Sequence, residues 1–265
     1  MADVTAGHGE RSGDRPLEGQ WAVVTGGSKG IGQAIGRRLI AGGAHVVLVA
    51  RGQDDLDAAV SSARRDVPSG QQVLGLVADM ANRDSIEAVF ASVADRTPSL
   101  NIFVANAGTG RVTPFLELGR DEFDAIVALN FTGAVFGCQQ AARMMVATPV
   151  ENQVIVAVSS VRALGARPGR LVYAATKAAL NQAVRVAAVE LAPFGIRVCA
   201  LSPGITETPL TAANKEVFDE VVRGVPLGRA GLPLDLAEAA YFLCSPQAAF
   251  ITGANLVVDG GESVL

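Results

Sequence analysis

The stretch WAVVTGGSKGIGQAIGRRL, residues 21–39, joins a short apolar run to a helical pattern through a glycine-rich turn. Its glycines, Gly26, Gly30 and Gly32, have the spacing GxxxGxG. Glycine permits a positive φ and lets backbone N–H groups approach a diphosphate, whose charge the start of the following helix favours. The same turn is equally compatible with a plain tight connection. It lacks the GxxxxGKS/T spacing of kinases and ATPases, and Ile35 replaces the last glycine of GxGxxG.

The alternation of strand and helix continues outward from this turn along the chain. The strand candidates are continuously apolar and do not alternate, which predicts a parallel sheet covered by helices on both faces. We therefore expect a single α/β domain, residues 18–265, with a doubly wound, seven-stranded parallel sheet that binds ligands at the carboxyl ends of its strands. The strand candidates are WAVVTG, HVVLVA, QVLGLVAD, NIFVANAG, QVIVAVSS, IRVCALSPG and NLVVDGG, and helical patterns lie near residues 31–42, 53–65, 83–96, 121–146, 172–192 and 234–244.

Residues 204–232 break this rhythm. They carry Gly, Pro and Thr around one short helical piece at 212–223, which predicts a mobile lid over the site. The apolar side chains of the lid predict a fairly apolar substrate, although they could also serve to pack the lid down. They are Ile205, Leu210, Val217, Phe218 and Val221.

The composition restricts the partners. The chain has 49% hydrophobic and 18% charged residues, a formal net charge of −4 and a pI near 5.3. This balance supplies no basic surface for nucleic acid, and no charge run for an anionic membrane or apolar run that reads as a membrane span is visible. Segments 121–146 and 172–192 are more apolar than one sheet-facing stripe requires, so we expect a homo-oligomer.

Cysteine and histidine usage argues against metal chemistry and disulfides. Cys138, Cys199 and Cys244 are odd in number and lack metal-ligand spacing, and the chain has only His8 and His45. We expect no metal and reduced thiols. Residues 1–17 mix Gly, Asp, Glu and Arg without an apolar core, which predicts a flexible tail, not a signal peptide, and a cytoplasmic protein.

Several motifs, in order, resemble those of the short-chain dehydrogenase/reductase family. TGGSKGIG resembles its TGxxxGxG turn, VANAG its NNAG segment with Ala105 for the first asparagine, and VSS followed by YAATK its serine and YxxxK. LNFTG carries the helix asparagine and LSPGITET resembles the PG turn. The resemblance covers roughly residues 18–262. It implies a Rossmann-like fold, a nicotinamide dinucleotide cofactor and a dimer or tetramer.

The end of the second strand predicts which dinucleotide binds. An acidic residue there would accept hydrogen bonds from the adenosine ribose, whereas a cation would attract a 2′-phosphate. Ala50 stands where NAD-preferring members of the family carry Asp, and Arg51 follows it; Lys29 adds a second charge. We expect NADP(H) over NAD(H). Each cation alone would also fit a solvated surface residue.

The pair Tyr173 and Lys177 is predicted to be the reacting centre. Four residues apart on a helix, the two side chains share one face, and a nearby ammonium lowers the pKa of a phenol so that it can exchange protons. Ser160 ends a strand and can bind the substrate carbonyl, and Asn130 is an amide in an apolar run that needs partners. The resemblance makes Asn130 a link in a water-mediated proton path to Lys177; an amide bonded to backbone remains the alternative.

The resemblance also implies a set of cofactor-binding residues. Asp79 would hold the adenine amino group, although an Asp after a strand also fits a helix N-cap. Thr206 stands where the family more often has Ile or Val, so only its backbone role carries over. The full set is Gly26, Ser28, Lys29, Gly30, Ile31, Gly32, Arg51, Asp79, Met80, Asn106, Ala107, Gly108, Tyr173, Lys177, Pro203, Gly204, Thr206 and Thr208.

Three functions are compatible with these residues. The first is an NADP-dependent oxidoreductase of a small ketone, steroid-like or polyol substrate, with Tyr173 as the acid–base group. The second is a 3-oxoacyl-(acyl carrier protein) reductase, for which residues 131–161 offer Arg143 as their one cation toward an acidic carrier. The third is a dinucleotide-binding regulatory protein without turnover, which would not need the Ser, Tyr, Lys and Asn set.

Overall fold

The computed structural model describes residues 15–65, 67–68, 70–212 and 215–264. A seven-stranded sheet runs through the centre in the order β3-β2-β1-β4-β5-β6-β7, and every adjacent pair is parallel. This confirms the predicted fold class. The strands are β1 (Trp21–Thr25), β2 (His45–Ala50), β3 (Val73–Val77), β4 (Ile102–Ala105), β5 (Val154–Val158), β6 (Arg197–Pro203) and β7 (Asn255–Val258).

Helices cover both faces because each parallel connection needs a crossover. The central strands β1, β4, β5 and β6 are buried along their whole length, whereas the edge strands β3 and β7 are partly exposed. The helices are α1 (Gly30–Ala41), α2 (Gln53–Arg64), α3 (Arg83–Ala94), α4 (Arg120–Val127), α5 (Ala134–Ala147), α6 (Leu171–Leu191), α7 (Pro209–Ala212), α8 (Lys215–Arg223) and α9 (Pro233–Cys244).

Two hydrophobic clusters lie on the two faces of the sheet. One packs α1, α2 and α9 onto the sheet through side chains such as Leu39, Leu56 and Leu236. The other packs α3, α5 and α6 onto the opposite face and includes Phe103 and Leu180. The doubly wound prediction is therefore confirmed at the level of side-chain packing.

The chain reverses its winding direction between β1 and β4, which are neighbours in the sheet. Such a reversal opens a crevice at the carboxyl ends of the two strands. Thr25 ties the strand ends together: its Oγ1 donates to the carbonyl of Val104 at 3.3 Å and accepts from the N–H groups of Asn106 at 3.0 Å and Ala107 at 3.1 Å. The glycine turn and the segment after β4 therefore meet at this crevice.

The helix predicted at 121–146 is interrupted by a π-helical turn, Ala128–Gly133, between α4 and α5. A Cβ on Gly133 would lie 1.9 Å from the carbonyl oxygen of Met80, so glycine lets the turn approach the end of β3. The composite helix 120–147 is long and apolar enough to cross a membrane by length and composition only, and 44% of its apolar window is buried inside the fold.

The predicted lid contains two helices, α7 and α8, where the sequence indicated one piece at 212–223. The predicted tail 1–17 falls mainly outside the described residues. Within them, Leu17 is fully buried and its N–H donates to the carbonyl of Gly42 at 3.0 Å. The packed domain therefore includes Leu17.

Candidate active site

The turn after β1 is a glycine cradle at the start of α1. Gly26 and Gly30 have φ values of 64° and 55°, a region that disfavours residues with a Cβ. A Cβ on Gly32 would lie 2.3 Å from the carbonyl oxygen of Gly26, so this position also requires glycine. The first turn of α1 carries no acidic residue. The cradle therefore fits a diphosphate placed at a helix N-terminus.

A cavity of about 590 Å³ extends from this cradle along the carboxyl ends of the strands. Its lining includes both the glycine turn and Tyr173, so a ligand bound to the glycine cradle can extend to Tyr173. Of the predicted cofactor residues, its walls contain Gly26, Ser28, Lys29, Gly30, Ile31, Arg51, Met80, Asn106, Ala107, Gly108, Tyr173, Lys177, Pro203, Gly204, Thr206 and Thr208.

Two predicted cofactor residues, Gly32 and Asp79, lie outside the cavity wall. Gly32 shapes the cradle indirectly, because only glycine at this position lets the start of α1 pack against the carbonyl of Gly26. Asp79 Oδ1 accepts from the N–H of Ala81 at 3.0 Å, while its neighbours Ala78 and Met80 line the cavity. A contact of Asp79 with adenine stays a prediction. The hydroxyl of Thr206 donates to the carbonyl of Gly204 at 3.0 Å, so this side chain stiffens the PG turn.

The predicted 2′-phosphate end of the cavity contains both cations expected there. Arg51 is exposed at the end of β2. Lys29 Nζ lies 2.6 Å from Oδ2 of Asp55, in the first turn of α2, and both side chains are about half exposed. Asp55, which the sequence analysis did not single out, therefore neutralises part of this positive pair.

Tyr173 stands near the start of α6 and is shared by two cavities. Burial raises the pKa of Tyr173 above its ordinary value, against the opposing effects of a hydrogen bond with Ser160 and the charges of Arg170 and Arg162. The predicted lowering by Lys177 is wrong: Lys177 is not among the groups that act on this pKa, and burial prevails because loss of solvent disfavours the phenolate. The phenol keeps its proton at neutral pH.

Lys177 lies one turn further along α6 and is 4% exposed. Its Nζ donates to the carbonyl of Val158 at 2.7 Å and lies 5.9 Å from the centroid of the Tyr173 ring. Burial lowers the pKa of Lys177 to about 8. The ammonium is therefore held at the end of β5, next to the ring of Tyr173.

The two serines at the end of β5 have different roles. Ser159 Oγ donates to the carbonyl of Lys177 at 3.2 Å and anchors α6 to the strand. Ser160 Oγ accepts from the N–H of Arg162 at 3.1 Å and hydrogen-bonds Tyr173. Ser160 lines both cavities beside Tyr173, whereas Ser159 lines one of them; a catalytic role of Ser160 stays a prediction.

Asn130 lies in the π-helical turn and is fully buried. Its Oδ1 accepts from the N–H of Thr109 at 2.8 Å, and its Nδ2 donates to the carbonyl of Thr109 at 2.7 Å. The amide thus holds the segment after β4 in place by bonding both backbone groups of Thr109. A water-mediated path from Asn130 to Lys177 stays a prediction.

A second cavity, of about 540 Å³, opens on the other side of Ser160 and Tyr173. The predicted lid side chains form one of its walls. Its other walls are charged, with arginines from the connection between β5 and α6. The lid residues are Ile205, Leu210, Val217, Phe218 and Val221, and the charged residues are Arg111, Arg162, Arg167, Arg170, Glu122 and Glu262.

Comparison with known proteins decides the family. A family model described as enoyl-(acyl carrier protein) reductase matches residues 26–263, nearly the whole described chain. The chain belongs to the short-chain dehydrogenase/reductase family. It is thus an oxidoreductase of alcohol or carbonyl groups, and the family implies a nicotinamide dinucleotide, NAD(H) or NADP(H).

Characterised and structural relatives of this short-chain dehydrogenase/reductase support the assignment. A chloroplastic tropinone reductase homologue of Arabidopsis thaliana is 36% identical, with 94% of this chain and 77% of that protein covered. 3beta-Hydroxysteroid dehydrogenase 1 of Eggerthella lenta is 34% identical, with 94% and 95% covered. A short-chain type dehydrogenase/reductase structure from Mycobacterium marinum has a TM-score of 0.90 at 29% identity, with 95% and 98% covered.

The short-chain dehydrogenase/reductase site contains residues that sequence reasoning missed. Three arginines lie within RALGARPGR, residues 162–170, and their density between the serine and tyrosine motifs is a signal that the sequence carries. Glu262, near the C-terminus, could not be placed without the fold. Among the described residues no group of three His, Cys, Asp or Glu could hold a metal ion, and the three cysteines are unpaired.

Proposed function

We propose that this protein is an NADP(H)-dependent oxidoreductase in which Tyr173 is the general acid–base group. The observation that supports the proposal is the position of Tyr173. Its ring lies between the cavity built on the glycine cradle and the cavity under the lid, with Ser160 and Lys177 beside it. A proton donor at this boundary can reach a carbonyl that lies against a dinucleotide.

The chemistry requires a hydride and a proton. When bound, the nicotinamide supplies the hydride for carbonyl reduction or accepts it in alcohol oxidation. Tyr173 gives its proton to the carbonyl oxygen as the alcohol forms, and takes it back in the reverse direction. Ser160 donates to the developing oxyanion, and Lys177 with Arg170 stabilises the phenolate that remains. The raised pKa of Tyr173 keeps the donor protonated before reduction.

The proposal for NADP(H) rests on the residues around the end of β2. Ala50 supplies no carboxylate to the adenosine ribose, and the exposed Arg51 can grip phosphate oxygens. Lys29 is a second cation at the same end of the cavity, held by Asp55. The ion pair between Lys29 and Asp55 weakens the expected preference for NADP(H) over NAD(H) but does not reverse it, because Arg51 has no carboxylate partner among the described residues.

We further propose a homodimer or homotetramer. Apolar side chains remain exposed on α6 and on the outer face of the composite helix 120–147, including Phe123, Val146, Val186 and Val189. Pairing of these helices between subunits would bury them. Sedimentation of a monomer at micromolar concentration would overturn this proposal.

The test of the proposed function is NADPH oxidation, followed by absorbance, with a panel of small ketones, a steroid ketone and an acyl thioester. Turnover of a ketone with NADPH favoured over NADH supports the proposal. Preference for the thioester would favour the 3-oxoacyl-(acyl carrier protein) reductase alternative. Tight NADPH binding with no turnover of any member would favour the regulatory dinucleotide-binding alternative.

A further inference from the structure

The cavity under the lid has an arginine-rich wall directly beside Tyr173. Arg162, Arg167 and Arg170 come from the connection between β5 and α6, and Arg111 comes from the segment after β4. The opposite wall is the apolar face of the lid. A neutral, purely apolar substrate would leave this guanidinium cluster without a function.

Two of the arginines have carboxylate partners. Arg162 forms an ion pair with Glu262, whose side chain is only 8% exposed. Arg167 Nη2 lies 3.5 Å from Oε1 of Glu220 on α8, where the carboxylate is largely exposed and the pair is weak. The first pair is a fixed part of the wall, and the second can open.

The charges of this cavity do not balance. Four arginines and two glutamates, Glu262 and Glu122, line it, and Glu220 pairs with Arg167 from outside the lining; Glu122 accepts a hydrogen bond from Thr113 at 2.7 Å. One positive charge is left over. Burial and the neighbouring guanidinium of Arg167 both lower the pKa of Arg170, as expected for cations crowded together.

Of the two cavity arginines without a carboxylate partner among the described residues, Arg111 and Arg170, it is Arg170 whose charge acts on Tyr173. Its guanidinium carbon lies 6.0 Å from the centroid of the Tyr173 ring, and its Nη1 donates weakly to the carbonyl of Arg111 at 3.5 Å. No carboxylate pairs with it among residues 15–65, 67–68, 70–212 and 215–264. Its remaining donors are therefore available to a ligand.

We propose that the substrate is an oxo acid or hydroxy acid whose single carboxylate binds Arg170, assisted by Arg167, while its apolar body lies against the lid. The inference rests on the proposed function and names its substrate class. The guanidinium fork matches a carboxylate in two parallel hydrogen bonds. Since one charge is unbalanced, a monoanion suits the cavity better than a phosphate dianion. A cationic amine substrate would meet repulsion here.

The substrate test uses acids and esters with the same skeleton. Levulinate and methyl levulinate are suited to it because the ester lies too far from the ketone to change its reactivity strongly; 4-oxo-4-phenylbutyrate and its methyl ester keep the same spacing and add an aromatic body. We expect wild-type kcat/KM to be higher for each acid, mainly through a lower KM. Arg170→Gln should lower the acid-to-ester ratio of kcat/KM about tenfold or more, because a charge-assisted hydrogen bond is lost.

The ratio separates binding from catalysis. Because Arg170 also favours the phenolate of Tyr173, its loss reduces turnover of acid and ester alike, and the ratio cancels this effect. Arg167→Gln should lower the ratio less, and Glu220→Gln, which frees Arg167, should raise it. Arg96→Gln, at an exposed arginine beyond the end of α3, is the matched control and should leave it unchanged.

A binding measurement tests the same contact without turnover. We expect benzoate, but not benzamide, to bind wild-type protein saturated with NADP⁺ in titration calorimetry, and Arg170→Gln to weaken benzoate about tenfold. Acid-to-ester ratios that are equal in wild type and Arg170→Gln, while ketones are still reduced, would overturn the inference and leave the proposed function standing. Absence of any carbonyl turnover would overturn the proposed function itself.

Discussion

Lys29 and Asp55 form an ion pair across the mouth of the dinucleotide cavity, with Nζ and Oδ2 2.6 Å apart. The pair joins the glycine turn after β1 to the first turn of α2. A phosphate that binds between Arg51 and Lys29 therefore has to compete with a carboxylate already in place. We therefore expect Asp55 to affect the preference between NADP(H) and NAD(H).

We predict that Asp55→Asn strengthens NADPH binding. The exposed pair contributes about 0.2–1 kcal/mol, so the dissociation constant of NADPH should fall by roughly 1.4-fold to fivefold. Fluorescence titration with NADPH and NADH measures the effect. Asp54→Asn, on the same helix turn, is the control for loss of charge alone. An equal gain for NADH would refute the role of Asp55 toward a 2′-phosphate.

Arg51 is predicted to make the larger contribution to this preference. Replacement by Ala removes the one cation at the end of β2 that has no carboxylate partner among the described residues. KM for NADPH should rise roughly ten- to a hundredfold, since a charged hydrogen bond is worth about 1.5–3 kcal/mol, while KM for NADH stays nearly constant. Steady-state kinetics with both cofactors decides the matter. Equal increases in the KM values for NADPH and NADH would mean that Arg51 does not bind the 2′-phosphate.

Burial of Lys177 is predicted to reduce the stability of the protein. Its pKa is about 8 in the fold, below the ordinary 10.5. Between these values the unfolded state binds more protons, so the free energy of unfolding contributed by Lys177 rises with pH. At neutral pH and below, the full penalty remains. Three neutral groups face the ammonium: the carbonyl of Val158, the side-chain amide of Asn130 and the protonated phenol of Tyr173. None of them carries a negative charge that would offset the positive charge of Lys177.

Lys177→Met should therefore raise the free energy of unfolding at neutral pH by on the order of 1–2 kcal/mol while abolishing turnover. The rise of stability between pH 8 and 10.5 should flatten in the variant. Urea unfolding across this pH range provides the measurement. Lys215→Met, at a lysine 83% exposed on α8, is the control. A destabilised Lys177→Met protein at neutral pH would contradict the prediction.

Asn130→Ala is predicted to destabilise the protein as well as slow it. The change leaves the N–H and C=O of Thr109 without their partners, which costs about 1–3 kcal/mol for each buried group that water cannot reach. Thermal unfolding of the variant, with Gln139→Ala as a control at an exposed amide on α5, checks the effect. Loss of activity with unchanged stability would assign Asn130 to the proton path alone.

The sequence allowed the sheet to be predicted because its signals are local. Continuously apolar, β-branched runs predict the seven strands. The glycines of the turn indicate places where backbone segments come so close that only glycine fits, as at Gly32. The π-helical turn around Asn130 left no periodicity signal, because one extra residue per turn is set by contacts with Met80 and Thr109.

Parts of the site depend on distant contacts and could not be predicted in the same way. The pKa of Tyr173 follows from how much solvent the lid and the arginines exclude, not from its distance to Lys177 along the helix. Glu262 meets Arg162 across a hundred residues of sequence. Such pairings become visible only once the C-terminal segment is folded against β6.

The most direct test of the central claim is the kcat of Tyr173→Phe for NADPH-dependent ketone reduction, beside Tyr241→Phe. Tyr241 is the second tyrosine of the chain and packs under Arg38, away from both cavities. We predict that Tyr173→Phe lowers kcat about a thousandfold, as expected for loss of an acid–base group, with NADPH affinity retained. Tyr241→Phe should keep wild-type turnover. A Tyr173→Phe enzyme with wild-type kcat would contradict the account.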